Sequence, residues 1–391
     1  MISFEEAYTI VTNSPSILQT ERIQYTDSLH RILAEDVFSD VAMPAFDKSA
    51  VDGFACRKED VQLQADLPIL ETIQAGQVST KEIVPGFCSK IMTGAPIPKG
   101  CTCVVMVENT ETINNCVRIL RVDNKENICF KAEDVKEGQK VIAKDCLIKP
   151  QHIAVFSAVG YTEVLVYKRI TVGIISTGDE LVEPHEKPSG SKIRNSNSYQ
   201  LLAQVTSLGA KARYYGIAKD TKEETYEKVT KALAENDVIL LTGGVSMGEF
   251  DFVAEVLTQA GITVLFDSIA VTPGKPTTFG TIGNKFCFGL PGNPVSSFVI
   301  FDILVKPFLF KQMGLVYTAP EIRLTMDFAF SRKKTARRLY IPVIIENGLV
   351  NEVEYHGSGH ILALTIADGL ILMPVGKERI EKGEIVEVRL I

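Results

Sequence analysis

The 391-residue chain has no excess of basic charge: 41 Lys and Arg stand against 48 Asp and Glu, a formal net charge of −7. Without surplus cations to displace counterions from a phosphate backbone, a general nucleic-acid surface is excluded, while small anions can still bind at local sites. Long apolar runs are absent too. The longest uncharged stretch, Phe286 to Phe301, is broken by Pro291-Gly292-Asn293-Pro294, so no membrane-spanning segment is expected. MISFEEAYTI at the N-terminus lacks a basic n-region and an apolar h-region, from which a cytoplasmic location is expected. The eight cysteines include no CxxC pair and no His-rich partner motif; seven (56, 88, 101, 103, 116, 129 and 146) lie irregularly in the first 150 residues, with Cys287 alone later. This spacing speaks for reduced, mostly buried thiols rather than a zinc site or a disulfide framework. Neither GxGxxG nor the GxxxxGKS/T pattern occurs, which removes the dinucleotide and nucleoside-triphosphatase signatures.

What is present begins with 46% hydrophobic residues, enough for a large core and two to four domains. Ser3-Phe4-Glu5-Glu6 has capping-box form and starts a helix that stops before Pro15. Asp27 or Ser28 is expected to cap a second one through Leu29, Ile32 and Leu33. Alternating residues then predict a β-rich section, with Asn114-Asn115 as a hairpin turn. Pro150 opens a helix that Gly160 closes. From Ile170 onward buried strands alternate with amphipathic helices, the pattern of a doubly wound α/β domain. From Thr318 short strands return, with turns at Asn347-Gly348 and Lys382-Gly383, as in a small β-barrel.

The chemistry gathers in the α/β section. In Asp237 to Asp251, DVILLTGGVSMGEFD, an apolar strand breaks into Gly243, Gly244 and Gly248 and then opens a helix. Such a turn exposes N–H groups to an anion, and a phosphate fits there. A tight turn without a ligand would use the same glycines; Ser246 and Asp251 beside them favour the anion. Ligands in such sheets bind beyond the carboxyl ends of the strands. Three loops leave those ends: Ser176 to Glu180 (including Thr177 and Gly178), Thr242 to Asp251, and Leu290 to Pro294 (including Pro291, Gly292 and Asn293), and they are expected to share one crevice. Asp179, Glu180 and Asp251 would place three carboxylates beside an anion cradle, a combination that calls for a cation such as Mg2+. In the late β section a basic cluster, Arg332 to Arg338, precedes a loop, His356-Gly357-Ser358-Gly359-His360. Arg332 to Lys334 read as a solvated loop, Arg337 and Arg338 as strand residues able to face an oxyanion, and the two histidines as ordinary loop residues.

Taken together, SAVDGFA, IMTGAPIP, ISTGDEL, LTGGVSMGEFD, PGKPTTFG, LPGNPVS, GSGH and ADGLILMP, in this order along nearly the whole chain, closely resemble the MoeA-type molybdopterin molybdenumtransferases, the family that includes the C-terminal domain of gephyrin. The resemblance implies a multidomain α/β plus β protein. Residues 1–26 and 170–315 would form a pterin-binding α/β domain, 27–48 and 136–169 a linking domain, 49–135 a β-rich domain, and 316–391 a C-terminal β-barrel. It implies a homodimer that inserts molybdate into adenylylated molybdopterin with release of AMP and with Mg2+, in transient contact with molybdopterin adenylyltransferase and molybdoenzyme acceptors. Two further readings are a non-catalytic dimeric scaffold or pterin-nucleotide binding protein, and a nucleotide pyrophosphatase-like enzyme. Carried over by motif, Asp179, Glu180, Asp251 and Asp220 match acidic positions of the family site, and Asp52, Thr93 and Asp134 match positions that reach the cleft from the other subunit. Thr177, Gly178, Gly243, Gly244, Ser246, Gly248, Pro273, Pro291, Gly292 and Asn293 would cradle the substrate, and Lys275, Arg338 and Ser358 would dock the oxyanion. The chain departs from the family pattern at Thr272, where many members have lysine, at Ala132, where glycine is common, and after Arg338, where a second arginine is often seen.

Overall fold

The computed structural model describes residues 1–244 and 253–391. The chain divides into two units: residues 1–34, 145–149 and 164–391 form the first, and residues 35–144 and 150–163 the second.

In the first unit, α1 (Phe4–Asn13) starts as its capping sequence dictates, with the Ser3 hydroxyl accepting the Glu6 N–H at 3.1 Å. Its Ala7 and Val11 enter the main core. The expected second helix does not form. His30 takes a φ of 61°, and Ile32 and Leu33 bridge Leu147 and Val166 in extended conformation. Two turns of helix nucleate poorly in isolation, and here pairing with distant segments satisfies the backbone instead.

A six-stranded sheet follows: β1 (Thr171–Thr177), β2 (Lys211–Ala218), β3 (Val238–Thr242), β4 (Thr263–Phe266), β5 (Thr278–Ile282) and β6 (Lys285–Leu290), in spatial order β2-β1-β3-β6-β5-β4. The β2-β1-β3-β6 portion is parallel, while β5 pairs antiparallel with β6, and β4 antiparallel with β5. Helices α2 (Asn197–Ser207), α3 (Lys222–Glu235), α4 (Val253–Gln259), α5 (Pro294–Ile300) and α6 (Lys306–Gln312) cover it. Strand periodicity explains the double winding. On β3, Val238 and Leu240 join the core built with Leu201, Val205 and Val299, whereas Ile239 and Leu241 join Val229, Ala232 and Val256 on the opposite face.

The C-terminal barrel comprises β7 (Glu321–Met326), β8 (Arg338–Glu346), β9 (Leu349–Glu352), β10 (Gly369–Met373) and β11 (Ile385–Leu390), closed in the order β8-β9-β7-β11-β10 and back to β8. Asn347 and Gly348, with φ of 54° and 75°, make the tight turn that the Asn-Gly pair signals. Two links fasten the barrel to the sheet layer. Val271 and Thr272 pair in parallel with Arg338 and Leu339, and Arg389 Nε reaches Asp302 Oδ2 at 2.5 Å, with Lys306 on Oδ1 at 2.9 Å.

The second unit holds a six-stranded sheet whose core includes Phe54, Val117 and Ile119 beside the buried Cys56, Cys88 and Cys103. Asn114 and Asn115 turn its hairpin with φ of 48° and 64°. A helix over Pro150–Ala158 ends before Gly160, at φ 74°.

Candidate active site

The loops after β1, β3 and β6 converge on one cleft of about 710 Å³. Thr177, Gly178 and Glu180 come from the first, Gly243 and Gly244 from the second, and Pro291, Gly292 and Asn293 from the third. The Thr272–Pro276 segment, which includes Pro273 and Lys275, and Arg337, Tyr355 and Ser358 from the barrel side complete it. Convergence at the carboxyl ends follows from the parallel order, because every such strand delivers its next loop to the same edge.

At the floor, Gly243 and Gly244 adopt φ of 92° and 62°, and a Cβ would stand 2.4 Å from the Thr177 carbonyl oxygen at the first and 2.8 Å from Thr177 Oγ1 at the second. Only glycine fits either position. The Thr177 hydroxyl is buried and has no hydrogen-bond partner among the described residues. Ser246, Gly248 and Asp251 lie outside the described residues.

The acidic side differs from the expected trio. Glu180 and Asp220 line the cleft, whereas Asp179 does not. Asp179 Oδ1 accepts the Asp220 N–H at 3.2 Å, Asp220 Oδ2 accepts the Asp179 N–H at 3.1 Å, and Lys192 donates to the Asp179 carbonyl. Asp179 therefore staples the loops after β1 and β2 together. The Glu180 carboxylate folds over Gly178, where a Cβ would lie 2.6 Å from Oε2. Among the described residues no group of three or more acidic, His or Cys side chains is set to hold a metal ion. Two cleft carboxylates fit magnesium, which commonly keeps its waters and binds one or two carboxylates together with substrate phosphates.

On the barrel side the structure corrects the arginine. Arg338 does not line the cleft; it stacks on the Phe4 ring, 4.8 Å from the centroid, and pairs with Glu5. Arg337 lines the cleft in its place. Successive strand residues face opposite ways, and the pairing of Val271 with Arg338 and Thr272 with Leu339 fixes which one faces in. Arg332, expected in a solvated loop, is partly exposed but tethered: its guanidinium donates to the carbonyls of Lys377, Arg337 and Pro374, at 2.9, 2.7 and 2.6 Å, and so braces the approach to Arg337. Ser358 is held by the loop after β6, its Oγ accepting from Asn293 Nδ2 at 2.9 Å and its carbonyl from the Val295 N–H at 3.1 Å. Its hydroxyl hydrogen stays free for an anion. His356 and His360 stack at 5.1 Å, and the His356 N–H donates to His360 Nδ1 at 3.3 Å, shaping the loop that presents Ser358. Thr272 and Leu339, side by side, form an uncharged wall with Tyr355, whose phenol burial pushes up.

Asp52, Thr93 and Asp134 belong to the second unit. Asp52 Oδ1 accepts the Thr93 N–H at 2.7 Å and its hydroxyl at 2.9 Å, which together hold the Asp52 carboxyl below the usual range. The Asp134 N–H donates to the Met43 carbonyl at 3.0 Å. Ala132 takes a φ of 62°, the left-handed conformation that explains why glycine suits this position.

Three family patterns tile the sequence: the MoeA N-terminal region (domain I and II) matches residues 2–160, the probable molybdopterin binding domain residues 173–311, and the MoeA C-terminal region (domain IV) residues 323–391. The chain is 35% identical over 399 residues to a molybdopterin molybdenumtransferase of Staphylococcus epidermidis, covering 100% of this chain and 95% of that one. A molybdopterin molybdenumtransferase of Staphylococcus aureus is 33% identical with the same coverage. The crystal structure of the molybdopterin biosynthesis moeA protein from Pyrococcus horikoshii superposes with a TM-score of 0.85 at 30% identity, over the whole of both chains.

Proposed function

This chain belongs to the MoeA family of molybdopterin molybdenumtransferases, enzymes of molybdenum cofactor biosynthesis, and from its cleft we propose that it inserts molybdate into adenylylated molybdopterin with release of AMP. The observation that carries this reading is the division of charge across one cleft. Carboxylates of Glu180 and Asp220 come from the sheet loops, and the cations of Lys275 and Arg337 from the barrel side and the segment that pairs with it. A pyrophosphate with a divalent cation suits the first end, and a tetrahedral oxyanion the second.

In this reading the Gly243-Gly244 backbone and the Thr177 hydroxyl hold the pyrophosphate of the adenylylated pterin. Glu180 and Asp220 would hold Mg2+, which neutralises developing charge on the phosphoanhydride when bound. Lys275, Arg337 and the Ser358 hydroxyl orient molybdate, with Asn293 fixing that hydroxyl as a donor. The uncharged wall of Thr272, Leu339 and Tyr355 takes the place of a lysine, leaving two cations rather than three for the oxyanion. Rate comes from positioning and charge stabilisation, without a covalent protein intermediate. The protein works as a homodimer in the cytoplasm, with Asp52, Thr93 and Asp134 serving the cleft of the other copy, and meets the adenylyltransferase and acceptor molybdoenzymes transiently. Among the described residues, no helix is long and apolar enough to cross a membrane.

The test is chromatographic: the protein is incubated with adenylylated molybdopterin, and AMP is followed with magnesium and molybdate each present or omitted. Release that needs both supports the transferase. Tight retention of the adenylylated pterin with no release in any condition contradicts it and leaves a binding protein.

A further inference from the structure

Asn197, the first residue of α2, lies outside the residues that line the cleft, yet it touches two of the loops that build it. Its Nδ2 donates to Thr242 Oγ1 at 2.8 Å and to the Gly292 carbonyl at 2.8 Å. Thr242 Oγ1 passes its own hydrogen to the Pro291 carbonyl at 3.3 Å. Both amide hydrogens are thus committed, and flipping the amide would set its oxygen against the Gly292 carbonyl, so one orientation is enforced. Asn197 Oδ1 is buried and has no hydrogen-bond partner among the described residues. Between the loops the clearance is small: a Cβ on Gly292 would lie 3.7 Å from Gly243 Cα.

We propose that Asn197 is a positioning residue that sets the separation of the Gly243-Gly244 cradle from the Pro291-Gly292-Asn293 loop, and through Asn293 the placement of Ser358. This role rests on the transferase reading for its consequence but not for its geometry. The chain of bonds runs from Thr242 through Asn197 to Gly292, whose neighbour Asn293 holds the Ser358 hydroxyl. One buried amide thereby couples the phosphate end of the cleft to the oxyanion end. The coupling is specific to a donor: a carboxylate of the same shape offers Gly292 only lone pairs, and draws the Thr242 hydrogen away from Pro291.

The experiment compares wild type with Asn197→Asp and Asn197→Ala. Steady-state AMP release is measured from pH 6 to pH 8.5, and amide hydrogen exchange is read by mass spectrometry on peptides covering residues 238–244 and 288–293. For Asn197→Asp at pH 8, KM for adenylylated molybdopterin rises about tenfold. The defect shrinks toward pH 6, because a protonated carboxyl can again donate to Gly292 whereas packing alone has no such pH dependence. Exchange accelerates in both cleft peptides of each variant, with peptides of the barrel strands away from the Ser358 loop unchanged. The proposal is overturned if the folded variants keep wild-type exchange in both peptides, or if at pH 8 Asn197→Asp raises KM no more than Asn197→Ala does. Absence of AMP release from wild type would count against the transferase reading alone, and the exchange result would still decide the role of Asn197.

Discussion

Replacing Arg337 by alanine removes one of the two cations, with Lys275, at the end of the cleft proposed to take the oxyanion, while replacing Arg338 removes none. The sequence offers both arginines equally, so the pair isolates what strand register does. Two unit charges about 4 Å apart interact by ~1 kcal/mol in water and ~4 kcal/mol at the effective dielectric of a protein surface. Arg337 is half-buried, between those limits, and a loss of about 2 kcal/mol corresponds to a roughly thirtyfold rise in the molybdate needed for half-maximal AMP release. Arg338→Ala forfeits a partly exposed ion pair with Glu5 and the contact with Phe4, together about 1 kcal/mol of stability, and shifts the molybdate requirement less than about twofold. The assay is a molybdate titration of AMP release at saturating adenylylated molybdopterin, with urea unfolding in parallel. A larger effect of Arg338→Ala than of Arg337→Ala on the molybdate titration would refute the register argument.

Gly243→Ala would put a Cβ 2.4 Å from the Thr177 carbonyl at a φ of 92°, so AMP release should fall at least about a hundredfold while circular dichroism shows a folded chain. In the second unit, Ala132→Gly relieves a left-handed alanine costing about 1–2 kcal/mol, less the extra chain entropy of glycine, for a net stabilisation near 0.5–1 kcal/mol in urea unfolding. Arg389→Met leaves the buried Asp302 with Lys306 as its remaining ion-pair partner and should cost about 2 kcal/mol, below the ~3–5 kcal/mol of a fully stripped buried charge. Because the Thr93 N–H and hydroxyl lower the Asp52 pKa, that carboxylate stabilises the fold above the pH at which an unfolded aspartate titrates and loses its contribution as pH falls through the lowered value. Thr93→Val removes the hydroxyl bond and should move the Asp52 carboxyl titration upward, read by its carboxyl carbon resonance.

How far the sequence discloses this molecule depends on the range of the interaction concerned. Local signals were legible: the Ser3 cap, the Asn114-Asn115 and Asn347-Gly348 turns, and the apolar run of β3 all appear where residue types place them. The convergence of the three strand-end loops was legible as well, because parallel order dictates it. Residues 28–34 were not, since distant pairing to Leu147 and Val166 overrides a short helical pattern. Strand β5 was hidden by the Pro276-Thr277-Thr278 entry and is defined by its hairpin with β6. Arg337 was weighed beside Arg338, but only the pairing to Val271 and Thr272 chooses between them. Asp179 stands beside Glu180 in the same acidic motif, but only Glu180 lines the cleft; the bond of Asp179 to the Asp220 backbone is a tertiary fact. Asn197 had no signal beyond standing at a helix start.

In the proposed function, cleavage of the adenylylated pterin and capture of molybdate occur in the cleft beyond β1, β3 and β6. The most direct measurement is AMP release with magnesium, with and without molybdate, by wild type and by Glu180→Ala. Wild type is expected to show molybdate-stimulated release, and a folded Glu180→Ala variant to lose it. Undiminished, molybdate-stimulated release by Glu180→Ala would contradict this reading and move the chemistry elsewhere in the molecule.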